Sequence, residues 1–177
     1  MKKRILSVMI AVLVIFLLTG CGESFPDESF TDDGAMETEA PVYDCDYIAT
    51  MESGNGEAGD SVTVSVRLAD GPELYSMGLK LSFDEDTLEL VSESSGEAMS
   101  SFTYTKPSRL KSDANFIWYA TDPFAVDGTV IDLVFKIKDT AEQGEYSIKM
   151  TCDPDNTFDA NYNEVYIAVD DGIIIVG

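Results

Sequence analysis

In the stretch Ser61-Val62-Thr63-Val64-Ser65-Val66-Arg67-Leu68, Val62, Val64, Val66 and Leu68 fall on one side of an extended chain, with Ser61, Thr63, Ser65 and Arg67 on the other. A second such segment carries Met77, Leu79, Leu81 and Phe83, and the chain then turns through Asp84-Glu85-Asp86-Thr87 into Leu88-Glu89-Leu90-Val91. Side chains of a strand alternate between faces, so an apolar period of two marks strands with one buried face. A helix would need apolar residues three and four apart. The expected class is all-β, a β-sandwich or a barrel. Working outward, the same signals give nine short strands at 46–53, 61–68, 75–83, 87–92, 102–105, 115–121, 128–138, 144–152 and 164–176, the last broken near Asp170-Asp171-Gly172. Turn residues separate them at Gly54-Asn55-Gly56, Asp70-Gly71-Pro72, Asp84 to Asp86, Asp127-Gly128 and Asp153-Pro154. In the seventh strand Ile131, Leu133, Phe135 and Ile137 are expected to face in, and Val130, Asp132, Val134 and Lys136 out.

The N-terminal residues read as a targeting segment. Lys2, Lys3 and Arg4 precede an apolar run from Ile5 to Leu18, which is short for a membrane span and ends in Leu18-Thr19-Gly20-Cys21. That ending resembles the lipobox of bacterial lipoproteins, which implies cleavage after residue 20 and acylation of the Cys21 thiol. Residues 1–20 are thus expected to be a signal peptide and 21–44 a tether. From Gly22 to Asp44 the chain carries eight acidic residues and no basic one, with Pro26 and Pro41. Such composition favours an extended, self-repelling segment able to reach about 75 Å at roughly 3.3 Å per residue. Residues 45–177 then suffice for one domain. The expected location is the extracellular face of a bacterial membrane, held by the N-terminal lipid.

Charge and composition exclude whole classes of function. The formal charge is −22, and loss of residues 1–20 takes three cations and no anion, leaving 8 Lys and Arg against 33 Asp and Glu, or −25. A chain this acidic is repelled by phosphate backbones, so nucleic acid is not expected as a partner. There is no histidine. The usual general base at neutral pH and the commonest metal ligand are therefore missing, which removes Ser/His/Asp, Cys/His and His-ligated zinc chemistries. Acid pairs such as Asp84/Asp86 and Asp170/Asp171 are read as chance neighbours in an acidic chain, not as glycosidase carboxylates. No catalysis, cofactor or metal is expected.

The middle strands carry a resemblance to a known family. Ala58-Gly59-Asp60-Ser61-Val62-Thr63-Val64-Ser65-Val66-Arg67-Leu68, Leu79-Lys80-Leu81-Ser82-Phe83-Asp84, Leu88-Glu89-Leu90-Val91, Trp118-Tyr119-Ala120, Asp127-Gly128-Thr129-Val130-Ile131 through Phe135-Lys136-Ile137-Lys138, and Asp171-Gly172-Ile173-Ile174-Ile175-Val176-Gly177 together resemble, in order and spacing, the cohesin domains of cellulosome scaffoldins. The resemblance implies a nine-stranded jelly-roll sandwich that binds a partner's dockerin domain, with the calcium carried by the dockerin. It also implies a binding face built on the third, fifth and sixth strands. On these positions the face would present Ser76, Gly78, Lys80 and Ser82, joined by Tyr104, Phe116, Trp118 and Thr121. Type I cohesins carry Asn and Asp near the positions of Ser76 and Gly78, and this chain has neither, so their dockerin specificity does not carry over.

Three features have competing readings. In Asn115-Phe116-Ile117-Trp118-Tyr119 either register can face inward. If Ile117 and Tyr119 fill the core, then Phe116 and Trp118 are an exposed pair suited to a protein or to a sugar ring; otherwise Trp118 is core. The acidic loop from Asp153 to Glu164 offers oxygen ligands for calcium but breaks the EF-hand pattern at Thr157 and Phe158, and Asp and Asn also build turns unaided. Cys45 and Cys152 are an even pair that can bridge on an oxidising cell surface, the other reading being two half-buried thiols. The leading expectation is a tethered dockerin-binding adaptor serving polysaccharide degradation. The alternative is a carbohydrate-binding module that captures polysaccharide directly through Trp118, Phe116 and Tyr104.

Overall fold

The computed structural model describes Cys45 and residues 47–177, so the leader, the tether and Cys21 lie outside the described residues. Twelve strands form two sheets: β1 (Tyr47–Met51), β2 (Gly54–Gly56), β3 (Ser61–Leu68), β4 (Glu73–Phe83), β5 (Leu88–Ser95), β6 (Thr103–Thr105), β7 (Asn115–Ala125), β8 (Gly128–Ile137), β9 (Gly144–Cys152), β10 (Phe158–Asp159), β11 (Ile167–Val169) and β12 (Gly172–Val176). One sheet runs β11-β1-β3-β8-β5 and the other β2-β12-β9-β4-β7-β6, with β10 alongside β4. The described fold is the expected all-β sandwich. The alternating valines and leucines of β3 are buried, as are Met77, Leu79, Leu81 and Phe83 of β4 and Ile131, Leu133, Phe135 and Ile137 of β8. These inner faces meet as one core, with Phe83 edge-on to Phe135 at 5.2 Å.

Bulges and edge strands account for the departures from the expected pattern. Val130 is fully buried instead of facing out. Val66 pairs with Ile131 and Arg67 with Thr129, so Val130 is an extra residue that breaks the alternation. Gly54-Asn55-Gly56, expected as a turn, is β2, which runs parallel to β12. The ninth strand breaks where expected, but its halves belong to different sheets. β11 pairs parallel with β1, whereas β12 pairs antiparallel with β9. Two of the chain's crossings between sheets, from β1 to β2 and from β11 to β12, therefore run side by side.

Candidate functional site

The outer face of the β9-β4-β7-β6 sheet follows from one register. On β4, Met77, Leu79 and Leu81 point into the core, which turns Ser76, Gly78, Lys80 and Ser82 outward. Lys80 lies between Asn115 on β7 and Thr151 on β9, and Ser82 lies beside Lys149. Gly78 is opposite Ile117 and Ser76 opposite Tyr119; on β6, Thr105 is opposite Ile117 and Thr103 opposite Tyr119. The face is thus made largely of small and polar residues, with the Tyr119 side chain half accessible among them.

This register corrects the aromatic part of the expected site. Trp118 and Phe116 pair with Met77 and Leu79 and so turn inward, where both are completely buried. The indole Nε1 donates to Ser95 Oγ at 2.9 Å, which satisfies the one polar atom that Trp118 carries into the core. Tyr104 stacks on the indole at 5.0 Å between centroids, and its hydroxyl donates to Glu93 Oε2 at 2.7 Å. Burial, helped by the adjoining Glu93 carboxylate, pushes the Tyr104 phenol well up. Phe116 and Trp118 are therefore core, and Tyr104 is half-buried against the indole, so the three do not form an exposed platform for a sugar. The positions that replace them outside are Ile117 and Tyr119, which the alternating apolar run of β7 left ambiguous.

Gly78 and Thr121 also differ from expectation. The Asp153 N–H donates to the Gly78 carbonyl at 2.9 Å, and the Gly78 N–H donates to Thr157 Oγ1 at 3.1 Å. A Cβ on Gly78 would come within 2.7 Å of Asn156 Cβ, so this position is covered by the segment after β9 and is not open surface. Thr121 is exposed, but it sits in the stretch of β7 between Tyr119 and Phe124 that has no partners on β4. Ser76, Lys80 and Ser82 remain where expected. Lys80 Nζ pairs with Asp113 at 3.2 Å, with both side chains well exposed, a contact worth roughly 0–1 kcal/mol that a partner can replace.

The other singled-out residues have structural roles here. Asp153 caps the 3-10 turn Pro154–Asn156, accepting from the Asp155 N–H and from Asn156 Nδ2. Asp159 accepts from Asn161 N, Asn163 N and Asn163 Nδ2, and these bonds, led by the Asn163 amide, hold its carboxyl below the usual carboxylate range. Asp84 accepts from Thr87 Oγ1 and Asp86 N, which lowers its carboxyl in the same way. Asp171 pairs with Lys149 at 3.5 Å. Cys45 and Cys152 line one groove of about 480 Å³ beside β9 and β11, with no bond between them in this structure. Cys152 Sγ hydrogen bonds with Thr157 Oγ1 at 3.2 Å, and burial pushes its thiol up.

Comparisons with known proteins agree with this architecture. The seventh ScaB type I cohesin of Pseudobacteroides cellulosolvens superposes with a TM-score of 0.62 at 19% identity, covering 74% of this chain and 92% of that one. A non-cellulosomal cohesin from the archaeon Archaeoglobus fulgidus gives 0.61 at 16% identity, covering 74% and 91%. A cohesin from Clostridium thermocellum, solved in a type I complex with a dockerin, gives 0.60 at 17% identity, covering 74% and 99%. No curated protein matches the chain. The model of the cohesin domain matches residues 49–176, from the first strand of the sandwich to the last, and the chain belongs to the cohesin family.

Proposed function

We propose that the chain docks a dockerin-bearing protein on the outer face of β9-β4-β7-β6 and holds it at a bacterial surface through a lipid on Cys21. The observation that carries the docking reading is that face itself, with small and polar side chains around Ser76, Lys80, Ser82 and Asn115 and with Tyr119 exposed, in a chain of the cohesin family. Such a surface suits a helical partner that carries a carboxylate opposite Lys80. Cohesins of the same fold have been solved with dockerins from several bacteria. In this reading calcium belongs to the dockerin, the chain performs no reaction, and polysaccharide degradation is work done by the cargo. Direct glycan capture loses support, because Trp118 and Phe116 are buried and Tyr104 is half-buried against the indole.

Titration calorimetry of the chain against a panel of calcium-loaded dockerin domains and soluble glycans tests this. At least one dockerin should bind, and Lys80→Glu should weaken it about tenfold by replacing attraction with repulsion. Saturable glycan binding with no dockerin bound would refute it. The anchor is tested separately. Cys21→Ala should release the protein from membranes or stall its processing, and a variant processed and fractionating like the wild type would remove the lipid from the account. On the oxidising side of the membrane we also propose a Cys45–Cys152 bridge, worth roughly 3–5 kcal/mol if unstrained. Non-reducing mass spectrometry that finds both thiols alkylatable would exclude it.

A further inference from the structure

Where β4 bulges, the docking face continues onto an aromatic pair with no assigned role. Leu74 and Met77 both point into the core although three residues apart, because β4 is irregular between them: against β10, Asp159 pairs with Leu74 and Phe158 with Ser76, leaving Tyr75 as the extra residue. The bulge sets Tyr75 and Ser76 together on the outer side. Tyr162, from the loop after β10, stacks on Tyr75 with centroids 4.6 Å apart and planes 10° from parallel.

Tyr162 is displayed at a cost to folding. Its φ of +62° lies in the left-handed region, uncommon for a bulky side chain, and the residue is 70% exposed. Asparagine or glycine would suit that backbone better. The turn is nevertheless fixed: Tyr162 N–H donates to the Asp159 carbonyl at 3.0 Å, and the Asp159 carboxylate takes the amides on either side, from Asn161 and Asn163. A rigid, exposed ring loses little entropy on contact. Its surroundings are of one sign. The Tyr75 phenol is pushed up first by its hydrogen bond with Tyr162 and in smaller part by Asp122, and neither Asp122 nor Asp159 forms an ion pair among the described residues. The cations of this face, Lys80 and Lys149, stand toward the opposite end, with Lys80 about 13 Å from Ser76 at roughly 3.3 Å per residue.

A ring face is electronegative, and a neighbouring carboxylate adds to the attraction for a cation. We propose that Tyr162, backed by Tyr75 and seated on the turn that the Asp159 carboxylate closes, receives a lysine or arginine side chain of the docked partner. The proposal rests on the docking reading and deepens it: the partner's footprint is basic at the Tyr162 end and acidic at the Lys80 end.

Calorimetry with the same calcium-loaded dockerin panel tests it, using the full chain and its Tyr162→Leu, Tyr162→Phe and Asp122→Asn variants, with thermal unfolding run beside each. Leu keeps apolar area and the same backbone demand but lacks a π face, so it should bind about tenfold more weakly, whereas Phe should stay within about twofold. Asp122→Asn, an exposed change, should weaken binding about threefold at low salt and less at high salt. A dockerin that binds Tyr162→Leu and wild type alike overturns this inference and leaves the docking face standing. A wild type that binds no dockerin overturns both. Glycan binding by the wild type that disappears in Tyr162→Leu would assign the ring to carbohydrate and refute the cation.

Discussion

Trp118 shows how far one residue can be read. Its pentapeptide is apolar at four positions, so alternation alone gives two registers of equal merit. What separates them lies far along the chain: Ser95 accepts the indole N–H, and Glu93 holds the Tyr104 ring that stacks on it. Trp118→Ala should therefore cost about 3–5 kcal/mol in chemical denaturation, as for other large-to-small core changes. A loss of partner affinity with unchanged stability would put the ring back outside. Asp159 carries a pH dependence. Its folded carboxyl is depressed, so its contribution is present above the ordinary carboxylate pKa and is lost as pH falls through the folded value. The Asn161 and Asn163 amides should keep their hydrogen-exchange protection through the ordinary carboxylate range and lose it only at lower pH, and Asp159→Asn should lower their protection already at neutral pH. Protection unchanged in that variant would contradict this role.

At the scale of elements, strands with a buried face were legible and strands held only by their backbones were not. β3, β4, β8 and β9 announce themselves because each alternates apolar and polar residues over most of its length. β2 and β10 are two or three residues long, and they exist because distant edges of β12 and β4 offer hydrogen bonds. No side-chain pattern encodes such pairing. The bulges at Val130 and Tyr75 are equally silent in the sequence, and the second of them aims the aromatic edge of the candidate site. The crossing between sheets yields a further prediction. A Cβ on Gly172 would lie 2.7 Å from Met51 Sδ and 2.9 Å from the Glu52 carbonyl, at the point where both terminal segments change sheets. Gly172→Ala should destabilise by about 1–3 kcal/mol, seen as a lower denaturation midpoint with an unchanged slope. An unchanged midpoint would show that the crossing is loosely packed.

The whole molecule joins an acidic sandwich to a face where cations are concentrated at one end and carboxylates and tyrosines at the other. Of the expected contact residues, Ser76, Lys80 and Ser82 hold their places. Gly78 is covered by the segment that follows β9, and the aromatic group moves from Trp118 and Phe116 to Tyr119 and Tyr162. The central claim is that this face, and not the outer face of β1-β3-β8-β5, meets the dockerin. Amide chemical-shift mapping of the chain on addition of a calcium-loaded dockerin that binds it addresses the claim directly. The account predicts perturbations along Ser76 to Ser82, at Thr103 and Thr105, from Ile117 to Thr121 and at Tyr162. Perturbations centred instead on Thr63, Ser65 and Lys136, with β4 and β7 unmoved, would contradict it.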